Sequence, residues 1–342
     1  MDRTTESAAL DRLVEAVRQG AEYLRGGTLV ADTTAGIPNA ERAVVEWLGE
    51  GDSAALRGVS FPRETALRHA RARELNAAGE WLAKARAALA AADLSARGRM
   101  LGSTMHHAGE AYLAYCHAAW DEALRELDVA IDYANRASDE HGFPNAEGRR
   151  LHLSHIHLRA RVASRLDPMG ALRTAAALWD YIEGDARAWP LAPLRTPAPP
   201  LPPRLLAITL NEIVTELALL LAREPQLNGA LVQRLDHRLA APEGADPFAW
   251  CRGWLRMRAA LHGADEEPFL RESADFLARV DGPRPLLWFA ALRDAHDFCA
   301  ALPDSRGAGA AARIAALAPT GLRVPAILAL PATPDAQARP AA

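Results

Sequence analysis

The chain has 342 residues, of which 50% are hydrophobic and 24% are charged, and this balance is typical of a globular protein with about two domains or one extended repeat array. Its formal net charge is −4, so it lacks the basic surface that binding to nucleic acid or to an acidic membrane would require. Lys84 is the only lysine, which excludes a phosphate-binding loop of the G-x-x-x-x-G-K-[ST] type.

The predicted elements are helices from one end of the chain to the other. Apolar residues recur with helical periodicity and strand patterns are nearly absent, so the sequence predicts an all-α fold. Asp167–Pro168 and Asp246–Pro247 predict two helix starts, because the carboxylate can cap the first turn and proline fits the first helical position. Ser60, followed by Pro62, predicts a third start. The predicted helices are 5–25, 39–49, 62–77, 79–93, 98–118, 121–137, 147–165, 168–184, 204–223, 227–240, 247–262, 266–280, 285–301 and 308–317.

A proline-rich segment, 190–203, interrupts this series of helices. Each proline removes a backbone donor and fixes φ, so the segment is predicted to be an extended linker or surface strap. It divides the chain into a helical-repeat region, 1–189, and a compact helical region, 204–320. The last residues, 321–342, are rich in proline and alanine and are predicted to form a mostly disordered tail.

Two adjacent predicted helices carry small and large residues at fixed spacings. The first contains Gly109 and Tyr112 as Gly-x-x-Tyr, and the second contains Ala123, Leu127 and Ala130 as Ala-x3-Leu-x2-Ala. The pattern resembles a tetratricopeptide repeat, in which an aromatic residue is usual at the position of the leucine. Small residues at these positions let two helices approach closely, and the larger ones fill the space beside them.

The resemblance extends over about residues 65–185. Ala83 lies 40 residues before Ala123, and Ala171 lies 48 residues after it, whereas the family repeats every 34 residues. The resemblance therefore implies a degenerate array of antiparallel helical hairpins, an α-solenoid whose concave groove holds ligands or partners.

One predicted helix carries a cluster of titratable side chains. At 100° per residue, His106, Glu110 and His117 fall on one stripe beside Leu113, and His107 points away from them. The tetratricopeptide resemblance implies that this stripe, extended to Ser103, lines the concave groove.

The helix predicted at 147–165 carries a second polar face. His152, His155 and Arg159 share it, while His157 lies on the other side. The guanidinium group of Arg159 carries paired N–H donors, which suit it to bind both oxygens of a carboxylate. The predicted ligand-binding residues are therefore Ser103, His106, Glu110, Leu113, His117, His152, His155 and Arg159.

These side chains leave several interpretations open. They can be a solvated helix face with a His–Glu pair at i, i+4, the lining of a groove, or ligands of a metal. No H-E-x-x-H pattern is present, and we expect neither a metal nor a cofactor. The favoured function is a non-enzymatic binding or adaptor protein that holds a peptide, a partner protein or a small polar ligand. The alternative is a helical enzyme of bacterial secondary metabolism with a His- and Glu-lined cavity.

The location of the protein is predicted from its cysteines and its hydropathy. Cys116, Cys251 and Cys299 are isolated, which is typical of a reducing compartment. The N-terminal residues are polar and charged, and the longest apolar run, 216–222, is too short to cross a bilayer. We therefore expect a cytoplasmic protein, and its wealth of Ala, Arg and Pro indicates a bacterial source.

The C-terminal part of the chain carries two groups of large apolar and aromatic residues. Trp250, Trp254 and Met257 recur at helical spacing, and Trp288 and Phe289 lie near the start of a later predicted helix. Such residues form a packed helical core or, alternatively, an aromatic-lined pocket or partner surface.

Overall fold

The computed structural model describes residues 3–25, 37–143, 158–188, 203–240, 246, 248–263, 265–279, 285–322 and 324–331. Over these residues every regular element is a helix, which confirms the predicted all-α fold. Along the same part of the chain, each helix is too short or too polar to traverse a membrane. The α-helices are α1 (Arg3–Arg25), α2 (Ile37–Leu48), α3 (Glu50–Arg71), α4 (Leu75–Ala91), α5 (Ala96–Cys116), α6 (Trp120–His141), α7 (Pro168–Ile182), α8 (Pro203–Arg223), α9 (Asn228–Leu235), α10 (Ala249–Gly263), α11 (Glu266–Leu277), α12 (Pro285–Ala301) and α13 (Ser305–Leu317).

The predicted helix starts have different outcomes. Asp167 caps α7 as predicted, because its Oδ1 accepts the backbone N–H of Gly170 at 2.8 Å. The start predicted at Ser60 is wrong, since α3 runs without interruption from Glu50 and contains Pro62 as a buried residue. Packing of the apolar face of α3 on both sides of this proline offsets the backbone hydrogen bond that proline removes.

The described chain forms two compact units. The terminal unit combines Met1–Asp32 with Val214–Ala342, and the central unit is Thr33–Ile213. The predicted division at 190–203 lies outside the described residues, apart from Pro203 at the start of α8. The predicted division assigned α1 to the repeat region, whereas in the structure it packs in the terminal unit. Of the predicted tail, the described part includes a 3-10 turn at Ala326–Leu328.

Close backbone contact integrates α1 into the terminal unit. Gly20 lies directly against α11, where an added Cβ would come within 2.2 Å of the carbonyl oxygen of Leu277. The buried indole of Trp288 on α12 donates to that same oxygen at 3.0 Å. At the surface, Arg12 donates to Asp275 at 2.6 Å. Only glycine fits at position 20 because any side chain would push α1 away from α11.

In the central unit, α5 runs parallel to α3 and antiparallel to α4. Two contacts show the direction of α5 relative to α3. Gly98 on α5 lies beside Asp52 on α3, and Gly109 lies beside Arg63, so residue numbers increase in the same direction along both helices. Toward α4 the order is reversed, because Gly102 lies beside Leu89 whereas Gly109 lies beside Leu82. A connection of only three residues, 72–74, joins α3 to α4.

The next helices extend this alternation of directions. Tyr115 packs against Trp120 with ring centroids 5.3 Å apart, and His107 contacts Glu126, so α6 runs antiparallel to α5. Residues 158–163 are also helical, and Val162 is buried in a cluster with α5 and α6 that includes Leu127. The alternation brings side chains of α4, α5 and α6 into one region of the central unit.

Candidate functional site

Three charged or titratable side chains meet where α4 packs on α5. Arg86 Nη2 donates to Glu110 Oε1 at 2.6 Å, and Arg86 Nε lies 3.4 Å from His106 Nε2. His106 Nε2 and Glu110 Oε1 are also 3.4 Å apart. The sequence correctly predicts that His106 and Glu110 share a face of α5, and the structure adds an arginine from the neighbouring helix.

The three residues differ sharply in their exposure to solvent. The side chain of His106 is 6% exposed and that of Glu110 is 19% exposed, whereas that of Arg86 is 67% exposed. An arginine with this exposure would ordinarily sample many rotamers. Here Glu110 and His106 of α5 contact its guanidinium from one side, which restricts its rotamers while most of its surface faces solvent.

The protonation of His106 follows from its surroundings. Burial lowers the pKa of His106, and the neighbouring Glu110 opposes this shift only in part. In the neutral ring whose Nε2 accepts from Arg86, the hydrogen resides on Nδ1, and Nδ1 is buried without a partner among the described residues. The neutral imidazole therefore acts as an acceptor for Arg86.

On the other side of α5, His107 contacts α6. Its Nδ1 is 2.7 Å from Glu126 Oε2, and its ring stacks on Tyr133 at a centroid distance of 5.7 Å. His106 and His107 thus face different neighbouring helices. Glu110 and Ser103, both half-buried, lie between these two faces of α5 at helical spacing.

The rest of the predicted stripe does not form a continuous open surface. Leu113 packs toward α4, where its Cδ2 is 3.9 Å from a Cβ built on Gly79. His117 lies one residue beyond the end of α5 and is exposed. His106 is buried against α4 because small residues on α4, such as Gly79, let the two helices approach. The stripe predicted to line a groove therefore lies partly within an interhelical contact, with Glu110 at its polar edge.

The second predicted face is described only in part. His152 and His155 lie outside the described residues. Arg159 donates to both carboxylate oxygens of Asp128 on α6, with Nε–Oδ1 at 2.5 Å and Nη2–Oδ2 at 3.3 Å. The paired N–H donors of Arg159, which were predicted to bind a ligand, therefore bind Asp128 of the protein itself.

Sequence reasoning missed Arg86, which is central to this site. It precedes Glu110 by 24 residues, and no short motif links them. The signal that was present is the periodicity of α4, where Arg86 lies between the buried Leu82 and Leu89 at the edge of the packed face. A pairing of α4 with α5 in register would have revealed the contact.

The described residues contain no group of three His, Cys, Asp or Glu side chains placed to hold a metal ion. Comparison of the chain with protein-family models, with curated proteins and with solved structures finds no match.

Proposed function

We propose that the chain is a non-enzymatic binding protein whose central unit holds an acidic segment of a partner protein. The observation that carries the proposal is the fixed and exposed guanidinium of Arg86, which Glu110 and His106 hold from one side. Its Nη1 makes no hydrogen bond within the described residues and remains available as a donor. A charged donor held in place loses little conformational entropy when it binds a carboxylate.

The arrangement of helices supports this proposal. The parallel course of α3 and α5, with α4 and α6 running the other way, is the order expected of a degenerate tetratricopeptide-like array. In this interpretation α5 is the floor of a polar surface between α4 and α6. Arrays of this kind use extended surfaces between or along their helices to hold partners.

The charges nearby favour an acidic partner. Glu110 is paired with Arg86, so its charge repels an incoming carboxylate only weakly. Arg99 lies seven residues before His106 on α5. This spacing is about two helical turns, so Arg99 lies on the same side of α5 as His106, and it is exposed. Arg86 on α4 and Arg99 on α5 thus give these adjacent helices two exposed guanidinium groups, which match an acidic peptide better than a basic one.

The alternative function, a helical enzyme with acid–base groups, is favoured by one observation, the contact between His106 and Glu110 with its lowered histidine pKa. Two features of the geometry favour a binding protein over an enzyme. The Nε2 of His106 faces Arg86, and only 6% of the histidine side chain is exposed, which leaves little room for a reacting group.

The proposal is tested with a fluorescein-labelled hexaglutamate peptide, measured by fluorescence anisotropy at low ionic strength. Arg86→Gln is expected to weaken binding at least about fivefold, because the guanidinium charge is lost. Arg136→Gln is the matched control, since Arg136 is also exposed and pairs with a glutamate, Glu140, on α6. Equal binding by the two variants, or equal binding of a hexaglutamine peptide, would overturn the proposal.

A further inference from the structure

The terminal unit contains a pocket of about 510 Å3, which falls in the range of small-molecule sites. It lies among α8, α9, α10 and α12 and is closed at one point by Leu328. Each long helix contributes one face, as in α10, where Trp254, Arg258 and Leu261 follow one another at i, i+4 and i+7. The pocket lies within the terminal unit and shares no residue with the site around Arg86.

A buried arginine forms the polar wall of this pocket. Arg258 Nε donates to Asn228 Oδ1 at 2.8 Å, and its Nη1 donates to Asp294 Oδ2. Asn228 also donates through Nδ2 to the carbonyl oxygen of Arg258 at 2.9 Å. Because the side chain of Arg258 is only 5% exposed, these contacts fix it firmly in one orientation.

Two atoms of this polar wall remain unused. The Nη2 of Arg258 and the Oδ1 of Asp294 make no hydrogen bond within the described residues. Neither atom belongs to the fully buried side-chain atoms that lack a hydrogen-bond partner. Both atoms therefore retain some accessible surface, and both residues line the pocket. One is a charged donor and the other is a charged acceptor, and they belong to the same ion pair.

A second pair of opposite charge lies on α12, with one member on each side of Asp294 in the sequence. Arg293 Nε is 3.4 Å from Asp297 Oδ2, and both residues line the pocket. The lining thus holds two guanidinium groups and two carboxylates. A ligand with a single charge would meet repulsion from one member of each pair, whereas a ligand with both charges can satisfy both members.

The rest of the lining is mostly apolar, and Gln226 and His262 are its other polar side chains. Leu221, Trp254, Leu261 and Phe298 line the pocket, and Trp254 itself is fully buried. An apolar group of a ligand would be removed from water against these side chains, with a gain of about 25 cal/mol per Å2 buried. The pocket therefore combines a charge-balanced polar wall with an apolar wall.

We propose that this pocket binds a small zwitterion of the amino-acid type with an apolar side group. The carboxylate of the ligand pairs with Arg258 Nη2 and with Arg293, and its ammonium group pairs with Asp294 Oδ1 and with Asp297. The apolar side group packs toward Leu261 and Phe298, which line the pocket and are partly exposed. Because Arg258 is already held in place, ordering its side chain adds little cost to binding.

The test uses three probes with the same phenyl group, which are L-phenylalanine, 3-phenylpropanoate and 2-phenylethylamine. Isothermal titration calorimetry on the full chain is expected to show that L-phenylalanine binds at least about tenfold more tightly than either singly charged probe. Filling the pocket with Ala222→Trp is expected to abolish this binding while the circular dichroism spectrum stays helical. The equivalent control for charge is Arg271→Gln, an exposed arginine of α11 that does not line the pocket.

Charge variants assign the two ends of the ligand. Arg293 and Asp297 are chosen because their side chains are 32% and 55% exposed, so their replacement leaves the buried pair of Arg258 intact. Arg293→Gln is expected to weaken L-phenylalanine and 3-phenylpropanoate but not 2-phenylethylamine, and Asp297→Asn is expected to do the reverse for the two singly charged probes. Equal affinity for all three probes, absence of saturable binding, or unchanged binding by Ala222→Trp would overturn the proposal.

Discussion

Arg86 in the central unit and Arg258 in the terminal unit make similar contacts in opposite environments. Each donates to one carboxylate and to one uncharged acceptor, which is His106 for the first and Asn228 for the second. The side chain of Arg86 is 67% exposed, and that of Arg258 is 5% exposed. Solvent screens the first pair far more than the second, so similar contacts do not imply similar energies.

This contrast separates two uses of an arginine. An exposed guanidinium held from one side contributes little to folding and keeps its remaining donors for a partner. A buried guanidinium with several contacts is part of the folded core, and only an atom that faces a cavity can serve a ligand. The following predictions test this separation, beginning with the largest expected effect.

Asp294→Ala should produce the largest loss of stability. It leaves the buried charge of Arg258 without its carboxylate, and breaking a buried pair in this way costs about 3–5 kcal/mol. Urea unfolding followed by circular dichroism measures the loss. Asp297→Ala, which removes a 55% exposed carboxylate from the same helix, should cost less than about 1 kcal/mol. A similar small loss for both variants would mean that Arg258 can turn to solvent.

Gly98→Ala should destabilise the central unit through packing. A Cβ at this position lies 2.6 Å from the carboxylate of Asp52, which accepts hydrogen bonds from the backbone N–H and the hydroxyl of Ser95. Displacing Asp52 should cost about 1–3 kcal/mol, as for other overpacked sites. Gly58→Ala is the control, because its Cβ would meet open space and alanine favours a helix. The account of this contact fails if both substitutions stabilise the protein.

Acidification should weaken the central unit through His106. Burial lowers its pKa in the folded state below the ordinary value of about 6.5, despite the neighbouring Glu110 and Glu126, while Arg86 and His107 add to the decrease. The unfolded chain then binds the proton more readily than the folded chain. The stability that His106 contributes is present above the unfolded pKa, and it is lost as the pH falls through that pKa toward the folded pKa.

The measurement is the free energy of unfolding at about pH 7 and about pH 5. Wild-type protein is expected to lose more stability on acidification than His106→Gln, which cannot titrate at this position. His117→Gln replaces an exposed histidine beyond the end of α5 and should retain the wild-type dependence. An identical dependence in wild type and His106→Gln would show that the ring is free to charge in the folded state.

Arg159→Gln should have the smallest effect. Its pair with Asp128 has side-chain exposures of 28% and 52%, and exposed pairs of this kind contribute about 0.2–1 kcal/mol. Urea unfolding should show a loss within this range. A loss of several kcal/mol would place Arg159 with Arg258 as a buried structural residue rather than with Arg86.

The helices were largely predictable because their signals are local. Aspartate before proline correctly marked α7, since the cap and the first turn lie within four residues of each other. Pro62 misled the prediction because its local signal for a helix start is overridden by packing along the whole of α3. The grouping of α1 with the C-terminal helices depends on contacts such as Gly20 with Leu277, which no local pattern encodes.

The candidate site was predictable only on one helix. The spacing of His106 and Glu110 correctly placed them together on α5, but periodicity does not say which neighbour a face will meet. Arg86 and Arg258 both depend on contacts with residues more than 20 positions away. The burial of His106 likewise results from the approach of α4, so its sequence context gave no indication of its lowered pKa.

The most direct test of the central contrast is urea unfolding of Arg86→Gln and Arg258→Gln in one series. Arg86→Gln is expected to lower the free energy of unfolding by less than about 1 kcal/mol, because its pair is screened by solvent. Arg258→Gln is expected to lower it by about 3 kcal/mol or more, because Asp294 and Asn228 lose a buried partner. Losses of equal size in the two variants would contradict the account.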